Sequence, residues 1–131
     1  PGRPASLSWV FRPMIQNITD LSRKLDRGAI KSVELVAESL ERIGDPRGQG
    51  AKVFLSTYAE AAMAQAEWID AARAKGLPLP RHAGVPIAIK DLFDVKGEVT
   101  RAGSRVLDTR APAAADAAID ERADRRSIAA R

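Results

Sequence analysis

The chain has 131 residues, no cysteine and one histidine, with 45% hydrophobic and only 5% aromatic residues. That length and apolar share fit one ordinary globular domain and exclude wholesale disorder, while the lack of cysteine excludes disulfides and thiolate metal sites. The formal charge of +4 and pI near 9.9 invite a nucleic-acid reading, but Lys and Arg are scattered among Asp and Glu along the chain, with no aromatics interleaved on a basic face as single-strand binders require.

A lone His82 also argues against a histidine metal cluster or a Ser-His-Asp triad within these residues. No apolar run is long enough to span a membrane, and no signal with a basic start and an apolar middle is present. The expected partners accordingly include no membrane and no nucleic acid, and the default compartment is the cytoplasm. The core has to come from small and aliphatic side chains, alanine above all, which bury little area per residue.

In chain order, residues 1–13 contain three prolines, two arginines and Trp9 without a sustained period, and are expected to be a disordered leader ahead of a natural start at Met14. Over residues 19–27, Ile18, Leu21 and Leu25 recur at helical spacing, with Thr19 as N-cap and Gly28 as stop. Ser32 is expected to cap a second helix, with Val33, Val36, Leu40 and Ile43 on one stripe and Gly44 at its end. Residues 44–50 read as a loop, and the alternation of Val53, Leu55 and Thr57 with Phe54, Ser56 and Tyr58 as a short extended segment.

Thr57 and Glu60 have the spacing of a capping box, so a helix is expected from about Tyr58 to Lys75, stopped by Gly76. It is rich in alanine, with Met63 and Ile69 as larger apolar residues. Glu60, Gln65, Asp70 and Arg73 are assigned to its exposed face, and Trp68 to the edge of the core rather than to ligand stacking. A proline-rich connector over residues 76–81 then leads to His82, read as a structural hydrogen-bonding residue in preference to a general base.

The stretch that organises the rest is Gly84-Val85-Pro86-Ile87-Ala88-Ile89-Lys90-Asp91-Leu92-Phe93-Asp94-Val95-Lys96-Gly97, followed by Thr100-Arg101-Ala102-Gly103-Ser104. Residues 85–89 read as a buried strand of the kind found in parallel sheets, with Pro86 near its start. Lys90 follows at the strand's end, where open α/β sheets present side chains to ligands. Taken alone, it is better read as marking where the strand leaves the core and snorkels to water.

This stretch closely resembles the N-terminal part of the amidase signature family, which includes bacterial amidases and the A subunit of glutamyl-tRNA(Gln) amidotransferase. The resemblance covers about residues 14–119, and the lysine motif is its specific part. It implies an α/β fold: the N-terminal part of an α/β/α sandwich around a mixed sheet. It further implies hydrolysis of a small-molecule carboxamide by a Ser-cisSer-Lys triad, with Lys90 at the position of the catalytic lysine and no metal or organic cofactor. Lysine would draw a proton through a bridging serine from a nucleophilic serine, which forms an acyl-enzyme.

Both serines of the triad belong to a Gly-Ser-rich segment that nothing in these residues matches; neither Ser104 nor Ser127 lies in such surroundings. Residues 111–119 resemble the family's approach to its next helix, whereas residues 120–131 read as a nonfamily charged tail lacking the expected apolar strand. A frame change after about Ile119 is the favoured account of that tail, and a genuinely short product the other. Expressed alone, the chain is expected to be inactive and to be poorly soluble, partly molten or self-associating, because apolar faces and strand edges are left open. The runner-up function is a noncatalytic interaction module or basic nucleic-acid-binding fragment.

Overall fold

The computed structural model describes residues 17–118 and 128–130. The expected leader, residues 1–13, lies outside the described residues, as do Trp9, Met14 and most of the expected charged tail. Four α-helices come first: α1 (Ile18–Asp26), α2 (Ser32–Gly44), α3 (Gly50–Val53) and α4 (Ala59–Ala74). A two-residue strand β1 (Ile87–Ala88), a 3-10 helix (Arg105–Thr109) and a strand β2 (Ile128–Ala130) follow.

α1 forms where the apolar spacing places it, but its cap is Asn17, not Thr19: the Asn17 Oδ1 accepts from the Asp20 N–H at 2.8 Å. Asn is a stronger N-cap than Thr, and Thr19 falls inside the first turn. α2 keeps the expected stripe and ends at Gly44. Ser32 is its first residue rather than its cap, and the helix start is satisfied from outside. Asp70 of α4 accepts the N–H groups of Ser32 at 2.9 Å and Val33 at 3.1 Å. These are two of the four donors every helix start leaves orphaned.

Between α2 and α4 the expectation is corrected. Gly50 to Val53 form a single helical turn in place of the end of a loop and the start of an extended segment, with Lys52 and Val53 N–H both donating to the Gln49 carbonyl. Of the expected extended segment, only Thr57 pairs, as an isolated bridge. The Thr57–Glu60 capping box is absent: the N-cap of α4 is Tyr58, without a side-chain cap bond. The end of α4 is as expected, with Gly76 at φ 68° and the Leu77 N–H returning to the Ala72 carbonyl.

The core is the α2–α4 contact. Val36, Ala62 and Ala66 are fully buried, and Val33, Leu40 and Met63 pack around them. Alanines on α4 let the α2 side chains approach its backbone, so close packing replaces large side chains. Leu25 from α1, Ile69 from α4, and Ala83, Val85 and Ile89 from the chain around β1 extend the buried set.

Two assignments on α4 are overturned. Trp68 is 63% exposed and anchors no core edge. Asp70 and Arg73 are not on the exposed face; their side chains are only 19% accessible. The reason lies in the period: residues 62, 66, 69 and 73 share one stripe at i, i+4, i+7 and i+11, which carries Arg73 into the interface while Trp68 points away.

The expected strand over residues 85–89 contracts to Ile87–Ala88, since Val85 N–H is drawn into the preceding turn by the His82 carbonyl at 3.2 Å. Its partner comes from the region read as a charged tail without an apolar strand. Ile128–Ala130 run parallel to β1, with Ile87 opposite Ile128 and Ala88 opposite Ala130 across an irregularity in register. A parallel pair of this kind is the signature of an α/β arrangement.

Candidate active site around Lys90

Lys90 follows buried Ile89 directly and is itself exposed. The chain turns sharply there: the Lys90 carbonyl accepts from Leu92 N–H at 2.6 Å and Phe93 N–H at 3.2 Å. Beside it opens a cleft of about 490 Å³, lined by Val53, Phe54 and Leu55 on one side and by Ile89, Lys90, Asp91 and Leu92 on the other. Its lining is mostly apolar, with Lys90 and Asp91 as its charged residues. Such a concave, largely apolar site with few polar groups suits a small organic ligand.

The motif downstream of Lys90 is held by carboxylates. Asp91 Oδ1 accepts the Arg101 N–H at 3.2 Å, Asp94 Oδ1 accepts the Thr100 hydroxyl at 2.7 Å, and Asp116 Oδ1 accepts the Lys96 N–H at 2.6 Å. Arg101 in turn pairs with Asp108 at 2.9 Å. Two loop segments are also tied together by their backbones, through Gly97 N–H to Ala113 O and Ala113 N–H to Glu98 O, each at 2.9 Å. The polar residues of the motif thus brace a loop with little regular structure. Ser104 precedes the 3-10 helix as its N-cap, without a side-chain cap bond. Ser127 lies outside the described residues.

Upstream, the turn that launches β1 is fastened to three helices. His82 Nδ1 lies 2.5 Å from the Ser22 Oγ of α1. Arg73 Nη2 donates to the Ala83 carbonyl at 2.8 Å and the same guanidinium also reaches Ser32 Oγ, Asp70 Oδ1 and, at 4.0 Å, Asp26. Gly84 has φ 90°, and a Cβ there would run into the Ser32 side chain. Ser22, Asp70 and Arg73 were not singled out for this place by the sequence; the buried stripe of α4 was the available signal for Arg73.

Among the described residues, no three or more His, Cys, Asp or Glu side chains gather to hold a metal ion. None of the described helices is long and apolar enough to cross a membrane. Arg23, Arg42, Arg47, Arg73 and Arg101 each pair with a carboxylate, so part of the positive charge is locally compensated.

The family model described as Amidase matches residues 34–125. The A subunit of glutamyl-tRNA(Gln) amidotransferase from Renibacterium salmoninarum is 44% identical over 88 residues, covering 67% of this chain and 17% of that protein. The AtzE subunit of 1-carboxybiuret hydrolase from Pseudomonas sp. is 40% identical over 95 residues, covering 72% of this chain and 21% of that protein. The chain therefore spans about a fifth of the length of these curated relatives. Among solved structures, one from work on a vestigial protein complex and the origins of an s-triazine catabolic enzyme superposes with a TM-score of 0.76 at 33% identity. The match covers 87% of this chain and 25% of that chain. A bacterial aryl acylamidase of the amidase signature enzymes superposes with a TM-score of 0.72 at 20% identity over 86% of this chain and 24% of its own, which speaks for the fold alone. The expected α/β class holds, in partial form. With the family match running through the lysine motif and most of the described residues, the chain belongs to the amidase (amidase signature) family.

Proposed function

We propose that the chain supplies the lysine-bearing part of a site that hydrolyses carboxamides, with Lys90 as the proton acceptor and residues 14–119 as the amidase portion. The observation that carries this is the placement of Lys90: it directly follows buried Ile89, just past β1, and borders the 490 Å³ cleft. The named relatives belong to an amidotransferase and to a carboxybiuret hydrolase, and what their substrates share with simple amides is a carbon–nitrogen bond at a carbonyl.

In the proposed reaction, unprotonated Lys90 takes a proton from a bridging serine, which takes one from the nucleophilic serine. The nucleophile's oxygen bonds to the amide carbon, the C–N bond breaks, and nitrogen leaves with a proton returned along the relay. Water then cleaves the acyl ester by the same route. A lysine serves as base when it is desolvated. Lys90 is exposed among the described residues, and no serine here matches either partner, so the chain by itself is inactive.

Two measurements test this. Purified chain incubated with simple carboxamides is expected to release no ammonia above the blank; hydrolysis that Lys90→Ala abolishes would overturn the claim of inactivity. For the role of Lys90, residues 17–118 replace their counterparts in a full-length family member. In that chimaera Lys90→Ala is expected to lower kcat by at least about a hundredfold, the usual scale for losing a general base. An unchanged kcat would remove Lys90 from the chemistry.

A further inference from the structure

His82 takes no part in the chemistry proposed above, yet it is tightly held ahead of β1. It adopts φ 68°, in the left-handed region that a non-glycine residue enters at a cost. It is half-buried, and its Nδ1 meets the Ser22 hydroxyl of α1 at 2.5 Å. The same hydroxyl lies 2.8 Å from the Ile18 carbonyl one turn back on its own helix.

Proton bookkeeping then couples the directions of the two bonds. A serine hydroxyl carries one proton and a peptide carbonyl carries none, so the Ile18 carbonyl can only accept. If Ser22 donates to Ile18, its oxygen has lone pairs left and no proton, and the contact with His82 is a hydrogen bond only if Nδ1 carries the hydrogen. The alternative, in which Ser22 donates to a bare Nδ1, gives up the 2.8 Å hydroxyl bond and leaves the Ile18 carbonyl with its helical N–H partner alone. The adjacent anchors act on the same turn. Arg73 holds the Ala83 carbonyl at 2.8 Å, and Gly84 packs against Ser32. Two buried residues, Val85 and Ile89, then carry the chain to Lys90.

We infer that His82 is held as its Nδ1–H tautomer, donating to Ser22, and that this bond is a positioning device for the strand that delivers Lys90 rather than a base–nucleophile pair. Ser22 is no activated nucleophile, because its proton rests on a carbonyl and the imidazole offers it a donor, not a base. The consequence for Lys90 rests on the reading of that lysine as proton acceptor; the tautomer itself does not.

His82 is the only histidine of the sequence, so ring-labelled protein gives one unambiguous pair of imidazole nitrogen signals. In buffer alkaline enough that free imidazole is neutral, the Nδ1 signal is expected in the protonated, pyrrole-like range and the Nε2 signal in the bare, pyridine-like range. Ser22→Ala is expected to move both signals toward the Nε2–H form. An Nε2–H tautomer in the unaltered chain would overturn the inference. Positioning is tested by a pair of variants that both accept a left-handed φ. His82→Asn keeps an N–H near the place of Nδ1–H and is expected to retain the Ile89 and Lys90 amide signals; His82→Gly keeps the turn, removes the donor, and is expected to shift them. If both variants keep those signals, or both lose them, the bond does not position the strand. Failure of Lys90→Ala to affect the chimaera would leave the imidazole signals as they are, so the two readings fail separately.

Discussion

The α2–α4 pair and the stretch from Val85 onward both carry apolar residues but satisfy them differently. In the helical pair each stripe faces the other, and Val36, Ala62 and Ala66 lose nearly all contact with water. Around the lysine motif, Leu92 is 55% exposed, Val106 82%, and the facing Val53 and Leu55 64% and 62%. There the backbone is held by the carboxylates of Asp91 and Asp116, by loop-to-loop backbone bonds such as those between Gly97, Glu98 and Ala113, and by one short parallel pairing. The helical pair supplies its own partner surface, whereas the lysine segment presents apolar residues that the described residues do not cover. The role proposed for Lys90 would fall on the second kind of structure, on the less stabilised side where openings cost least. The joint between the two is the turn at residues 82–84, which is bonded to α1 and α4 and leads into the segment that ends at Lys90.

The largest expected effect comes from breaking that joint. Gly84→Val puts a β-branched side chain at φ 90°, where the first added carbon already collides with Ser32 and approaches Ile69 at 3.4 Å. Backbone strain and overpacking together are expected to cost about 3 kcal/mol, read as a lowered midpoint in urea. The α2–α4 amides should keep their hydrogen-exchange protection while those of Val85 to Lys90 lose it. Equal loss in both regions would show that the two are one cooperative unit.

A smaller effect, confined to the helical half, is expected from Asp70→Ala. It removes the acceptor for two N–H groups at the start of α2 and strips Arg73 of a partner that is as buried as itself. Losing a cap and one half of a mostly buried ion pair is expected to cost about 2 kcal/mol, with faster exchange at Ser32 and Val33. Asp70→Asn, which keeps one capping oxygen, should cost less. A change under about 0.5 kcal/mol, the level of an ordinary surface site, would show that α2 needs no cap from α4.

These sites show which parts of the fold local pattern could reveal. α1, α2 and the C-terminal stop of α4 follow from apolar spacing and from Gly28, Gly44 and Gly76, because those signals lie within a few residues of their effects. The face of α4 does not follow as easily. With alanine at so many positions, no side is marked by bulk, and the bulkiest residue, Trp68, turns outward. α3 is a single turn closed on the Gln49 carbonyl, too short for a period to register. The family was legible from the motif that contains Lys90. The motif's supports were not: Ser22 meets His82, and Asp70 meets Ser32, across separations of 60 and 38 residues. No local rule joins residues that only the packing of helices brings together.

The smallest effect is expected where neither region is touched. On the loop after α2, Arg47 lowers the pKa of Asp45 from its ordinary 3.8, first through its side-chain hydrogen bonds, then through its backbone N–H, with a lesser contribution from the charge itself. A carboxyl whose folded value is depressed adds stability above its unfolded value, and that contribution is lost as pH falls through the folded one. The contribution is therefore in place at neutral pH and disappears only in acid below 3.8. The pair is open to solvent, with 75% of the Arg47 side chain accessible, so it should be worth little to either region. Arg47→Ala is expected to move the Asp45 carboxyl titration, followed by carbon NMR, upward but short of 3.8, since the residue 47 N–H remains to donate. The urea midpoint at neutral pH should not change. A fall in that midpoint would mean that the loop after α2 is coupled to the α2–α4 core, and that the boundary between the well-packed and the open region lies elsewhere.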